Sequence, residues 1–164
     1  MTEEEFLTLF DRYRPMVYAL ALSYTKSPQD AEDVCQTAFL KLIEQPPEPG
    51  KEKPWLARVT VNQCKSLLRA PWRRRRAELD ENALEAVRFP EPEDGALWAA
   101  VLSLPPAQRA LIHLRYYEGF TTAELAEQYH ATPEVISARL YRAKKQLRSR
   151  LEGTEYGSTL SDSI

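Results

Sequence analysis

At 164 residues the chain has room for one domain or two small ones, and its 43% hydrophobic content can fill compact cores. Lys and Arg number 22 against 24 Asp and Glu, so the net charge of −2 singles out no partner class by itself. Met1 is followed by Thr2 and three glutamates, which is no secretory signal, and the longest apolar run, residues 16–22, is too short to cross a bilayer. Cys35 and Cys64 stand alone without CxxC spacing, each on an apolar helical stripe, which predicts buried, reduced thiols in a cytoplasmic protein. With only His113 and His130 besides, no metal cluster is expected and no cofactor. No Ser/His/Asp spacing or phosphate loop points to an enzyme.

Glycine is scarce and alternating β-branched runs are absent, so the expected fold class is all-α, as two small helical domains on either side of a flexible acidic linker. The charge is segregated along the chain. Residues 1–50 hold four bases and nine acids, giving −5, whereas residues 51–76 hold nine bases and one acid, giving +8. Residues 77–95 hold one base and seven acids (−6), and residues 131–151 six bases and one acid (+5). Two basic blocks in different halves suggest two contact points on one nucleic acid, because a single DNA module needs only one.

In chain order, the spacing of Phe6, Leu9, Phe10, Tyr13, Val17, Leu20 and Tyr24 predicts a helix over residues 3–25, with a break or kink at Pro15. Ser27 then caps a second helix with Pro28 in its first turn and Asp30 at the capping-box place. Ala31, Val34, Cys35, Ala38, Phe39 and Leu42 form its inward stripe, which leaves Leu40 and Ile43 beside Asp33 and Gln36 on the face meant for water. Such a strip is either scattered surface exposure or a docking surface. After a proline-rich loop, Pro54 opens a third helix with Trp55, Leu56, Val59, Gln63, Cys64 and Leu67 inward. Asn62 beside that stripe would need a hydrogen-bond partner. That helix runs toward Trp72 and four consecutive arginines, Arg73 to Arg76. A basic run beside an aromatic ring holds phosphates and stacks on unpaired bases, although short charge runs are often merely solvated.

Past the linker the pattern tightens. One helix carries Leu97, Trp98, Val101 and Leu102 and stops at Leu104, Pro105 and Pro106; another covers residues 107–117 and ends at Gly119. Thr121 and Glu124 then have capping-box spacing before Leu125, Ala126 and Tyr129. A tight connection through His130 and Ala131 leads to Thr132, an N-cap, and Pro133. In the last helix Ile136, Leu140, Ala143, Leu147 and Leu151 form one apolar stripe, and no acid follows Glu134 on faces that carry Arg139, Arg142, Lys144, Lys145, Arg148 and Arg150. Two short capped helices with a basic second member are a helix-turn-helix signature, the plainer alternative being an αα-hairpin with a solvated basic face. The last residues, 153–164, are small and polar and are expected to be disordered.

Three segments in order carry a family resemblance: DAEDVCQTAFLKL, then WLARVTVNQCKSLLR with RRRR after it, then LPPAQRALIHLRYYEGFTTAELAEQYHATPEVISARLYRAKKQLR. Over residues 3–151 the chain resembles a bacterial RNA polymerase sigma factor of the extracytoplasmic-function (ECF) type in the sigma-70 family. The resemblance implies an N-terminal domain over residues 1–76 that docks through Asp33, Gln36 and Leu40 on the clamp helices of the largest subunit of core RNA polymerase. It implies that Asn62, Ser66, Arg69, Trp72, Arg73, Arg74 and Arg75 lie where the −10 promoter element is opened. It implies a second domain over residues 96–152 that meets the flap of the second-largest subunit and sets its last helix in the major groove at the −35 element. There Thr132, Val135, Ser137, Ala138, Arg139, Tyr141, Arg142 and Lys145 would contact promoter DNA, and Arg115 would grip phosphate from the preceding helix. An anti-sigma factor is the expected regulator. Two positions depart from the family pattern: Ser66 stands where many members carry Asp or Asn, and Ser137 where a basic residue is common, so neither base preference carries over. The competing function is a repressor or activator that uses its helix-turn-helix without polymerase, typically as a dimer on paired half-sites.

Overall fold

A computed structural model describes residues 1–70 and 95–151, with the backbone alone over 95–98. The described residues are helical with no strand among them, and the chain divides into two compact units, Met1–Val87 and Arg88–Ile164. Of the linker expected over 77–95, all but Gly95, which is already helical, lies outside the described residues, as does the tail over 153–164.

In the first unit α1 (Glu3–Thr25), α2 (Pro28–Glu44) and α3 (Glu52–Arg69) pack pairwise into a three-helix bundle. α1 starts on a capping box: the Glu5 N–H donates to Thr2 Oγ1 at 3.1 Å and the Thr2 N–H to the Glu5 carboxylate at 3.0 Å. The break expected at Pro15 does not occur, and α1 runs through it. Pro15 and Asp11, whose carbonyl loses its usual partner, are both exposed, so water can serve that oxygen, while the adjoining Met16, Val17 and Leu20 are buried. Lys26 in the left-handed region (φ 58°) ends the helix.

The six inward residues expected of α2 are all buried. Phe39 among them meets Phe10 edge-on with ring centroids 4.9 Å apart and Phe6 at 6.3 Å, which ties the start of α1 to the bundle. At the helix start Ser27 Oγ accepts from the Asp30 N–H at 3.2 Å. The returning half of the expected capping box is replaced, because the Ser27 N–H donates to Thr25 Oγ1 at 3.3 Å and Asp30 is buried.

α3 begins two residues before Pro54, which sits within the first turn where no N–H is required. Gly50, at φ 90°, makes the turn that lets its N–H donate to Glu52 Oε1 at 3.1 Å. The inward face is Leu56, Ala57, Thr60, Val61 and Cys64, rotated from the expected stripe so that Trp55, Val59, Gln63 and Leu67 are only half-buried. Thr60 belongs to this face because its hydroxyl donates to the Leu56 carbonyl at 2.6 Å and so carries no open polar group into the core. Asn62 is exposed, so the partner its amide needs is water.

In the second unit α4 (Gly95–Ser103), α5 (Pro106–Ile112), α6 (Thr122–Gln128) and α7 (Pro133–Leu151) are arranged with α7 against each of the other three. All five residues of its apolar stripe are buried, from Ile136 at one end to Leu151 at the other. The single helix expected over residues 107–117 ends at Ile112 and continues as a π turn, His113–Tyr117. Arg109 was not expected in the core, yet it is 4% exposed: Nη1 donates to the Leu104 carbonyl at 2.6 Å and the Leu102 carbonyl at 3.3 Å, closing the end of α4.

Two outcomes follow for stability and reactivity. Burial pushes the Cys35 thiol up to about 12, so it stays protonated at neutral pH, and Cys64 is buried as well. Neither thiol should react with a thiol-specific reagent at pH 8 in the native protein, and both should react in guanidinium; titration of free thiols checks this. Arg109→Ala should cost about 1.5–3 kcal/mol in urea unfolding through the lost charge-assisted hydrogen bonds.

Candidate nucleic-acid interface

α7 is held at its start by a built turn. Thr121 caps α6 with both halves of the capping box formed, at 3.1 Å to the Glu124 N–H and 2.9 Å from its own N–H to Glu124 Oε1. His130 takes the left-handed conformation (φ 52°), and the Ala131 N–H donates to the Ala126 carbonyl at 2.9 Å, which closes α6 and turns the chain. Thr132 Oγ1 then accepts from the Val135 N–H at 3.3 Å.

Because the apolar stripe of α7 faces its own core, the other residues have no choice of side. Val135, Ala138, Arg142 and Lys145 recur at three- and four-residue steps on the opposite strip, flanked by Arg139 on one edge and Ser137 and Tyr141 on the other, and all are exposed. Thr132 is exposed at the head of the strip. Tyr141 is 64% exposed and Val135 39%, so apolar groups sit among the cations. An exposed helix face of this kind can enter a DNA major groove, with arginine for bidentate base contact and apolar groups for thymine methyls.

Arg115 lies within the π turn, half-buried, its guanidinium 5.3 Å from the centre of the Tyr116 ring. Burial pushes the Tyr116 hydroxyl up while Arg115 draws it back. The turn closes through the Glu118 N–H, which donates to the His113 carbonyl at 3.0 Å, and the Phe120 N–H, which donates to the Leu114 carbonyl at 3.0 Å. Gly119, at φ 77°, permits the reversal. His113 and Glu118 are functional candidates that the sequence pattern missed. Five residues apart, they lie about 140° apart on an α-helix, and only the wider turn brings them to one side.

In the first unit Asn62, Ser66 and Arg69 are exposed and share one face of α3 at four- and three-residue steps. Trp72, Arg73, Arg74 and Arg75 lie outside the described residues. Asp33, Gln36 and Leu40 likewise share an exposed face of α2, with Leu40 57% and Ile43 52% exposed beyond them. This apolar pair beside an acid and an amide is separated from the buried stripe of the same helix, so it does nothing for the unit's own core.

The family models for "Sigma-70 region 2" and "Sigma-70, region 4" match residues 9–74 and 94–147. The chain is 31% identical to the ECF RNA polymerase sigma factor SigE of Mycolicibacterium smegmatis, over 87% of this chain and 60% of that relative's length. It is 28% identical to the RNA polymerase sigma factor SigV of Bacillus subtilis, over 92% of this chain and 93% of that one. In fold it is similar to the sigma factor RpoE of Bartonella quintana, solved in complex with the anti-sigma factor NepR, with a TM-score of 0.70, 22% identity and coverage of 91% of this chain and 98% of that one. With both of its halves matched in order, the chain belongs to the sigma-70 family of RNA polymerase sigma factors, in the extracytoplasmic-function group.

Proposed function

We propose that this chain is a promoter-specificity factor: it binds core RNA polymerase, directs it to a set of promoters and has no catalytic centre of its own. The observation that carries this is that each matched region falls within one compact unit, and each unit keeps an exposed helix face its own core does not use. Membership of the family also sets aside a helix-turn-helix regulator acting without polymerase.

In this function Asp33, Gln36 and Leu40 bind the clamp helices of the largest subunit. Burial of Leu40 there would give about 1.5–3 kcal/mol, which its present exposure forgoes. Asn62, Ser66, Arg69, Trp72, Arg73, Arg74 and Arg75 serve the −10 element. Opening of the duplex needs no ATP, since base stacking on an aromatic ring returns about 1–3 kcal/mol per base and the cations hold the phosphates of the separated strands. The second unit meets the flap of the second-largest subunit and lays α7 in the major groove at the −35 element. Arg142 is the principal base reader, Val135, Ser137, Ala138 and Tyr141 line the same groove, and Thr132, Arg139, Lys145 and Arg115 hold phosphate. The work is done in the cytoplasm where polymerase is; no helix among the described residues is long and apolar enough to cross a membrane. An anti-sigma factor is the proposed regulator, as one solved neighbour was captured with such a partner.

The test is run-off transcription on genomic fragments with core polymerase. Discrete transcripts that appear only when the chain is added support the function, and failure to bind core contradicts it. Leu40→Asp should weaken core binding at least tenfold by introducing a charge that the docked state must bury, measured by competition for core. Arg142→Ala should cost about 1–3 kcal/mol in discrimination between its promoter and random DNA, with a smaller loss on the random sequence. Equal losses on both would remove its base-reading role.

A further inference from the structure

We propose that His113 and Glu118 form a positioning clamp that holds the π turn and thereby presents Arg115 to the DNA backbone, an inference that rests on the −35 function proposed for this unit. The two residues are tied twice. The Glu118 N–H donates to the His113 carbonyl at 3.0 Å, and His113 Nε2 lies 3.1 Å from Glu118 Oε1. The imidazole is 3% exposed and the Glu118 side chain 20%, so this second tie runs from the core of the unit to its edge.

The clamp encloses residues 113–117, and what it does to them follows from geometry. An i→i+5 turn accommodates one more residue than the turns of the α-helix that leads into it, so residues within it are turned away from the positions a continued α-helix would give them. Leu114 stays in the core and Tyr116 goes to the surface, with Arg115 between them and its guanidinium over the Tyr116 ring. Immediately after the clamp, Gly119 reverses the chain and the buried Phe120 anchors it before the Thr121 cap. The segment is therefore fixed on both sides, and Arg115 leaves it six residues ahead of the Thr121 cap. A π turn is poorer in hydrogen-bond geometry than the α-helix it replaces and persists where something over-determines it. Here the His113–Glu118 bridge does so.

The experiment is the salt dependence of binding of the full chain to a mixed-sequence DNA duplex, for wild type, Arg115→Ala, His113→Leu and the double variant. Each phosphate contact contributes a slope of about 0.9 in log affinity against log salt. Arg115→Ala should make the slope shallower by about that amount, and His113→Leu, which touches no DNA, should do the same. The double variant should lose no more than Arg115→Ala alone, and His113→Gln, whose amide can still donate to Glu118, should recover the wild-type slope. Glu118→Ala cuts the bridge at its edge and leaves the core intact; it should reproduce His113→Leu even if the latter unfolds the unit. The inference is overturned if Arg115→Ala leaves the slope unchanged, if Glu118→Ala does so, or if the clamp variants cost as much without Arg115 as with it. A wild-type chain with no salt slope removes the −35 function and this inference together; a normal wild-type slope that the clamp variants leave unmoved removes the inference alone.

Discussion

The burial of one stripe of α7 fixes everything the second unit presents to solvent. Ile136, Leu140, Ala143, Leu147 and Leu151 are fully or almost fully enclosed against three other helices, and burying a side chain of the larger kind stabilises by about 1.5–3 kcal/mol. No surface ion pair is worth as much, since exposed pairs typically contribute about 0–1 kcal/mol. The apolar stripe therefore decides the rotation of the helix, and the cations take the positions left over. With one acid, Glu134, and six bases between residues 131 and 151, those positions form a basic, exposed face. Such a face suits a polyanion.

The first unit obeys the same rule with a different remainder. The buried face of α2 is complete without Leu40 and Ile43, and that of α3 is complete without Asn62, Ser66 and Arg69. What is left outside is therefore unlike on the two helices: apolar and acidic on α2, polar and basic on α3. One face suits a protein and the other a nucleic acid, in keeping with the function proposed for the chain. The acidic run over residues 77–95 carries a charge of −6 and is itself repelled by phosphate, so attraction to DNA is confined to the basic blocks on either side of it. Under the proposed function, two weak grips on one promoter, linked in one chain, would reinforce each other through effective concentration.

Much of this was legible in the residues because periodicity and caps are local. The stripes of α2 and α7 and the caps at Ser27, Thr121 and Thr132 depend on neighbours no more than four positions away, and the structure bears them out, save for the Asp30 half of the box at Ser27. The misses are those in which tertiary packing overrode a local rule. Pro15 breaks helices in general, but here the flanking apolar residues hold both halves on one bundle. The inward face of α3 is rotated because Thr60 can bury its hydroxyl against its own helix, which a hydropathy pattern counts as polar. The π turn and the Arg109 cap of α4 were invisible for the same reason: each depends on a contact at an unusual spacing, five residues for His113 with Glu118 and five to seven for Arg109 with the α4 carbonyls. The candidate faces on α2, α3 and α7 were assigned from the family resemblance, and the structure adds that each is exposed and continuous along its helix. The arginine run after Trp72 lies beyond the described residues.

The central claim is that both units act on one promoter while polymerase carries them. Hydroxyl-radical footprinting of a promoter with core polymerase and the chain tests it most directly. Two protected stretches are expected, one on the upstream duplex and one where the strands separate, the second appearing only when core is present. Protection of the upstream stretch alone, identical with and without core, would contradict it.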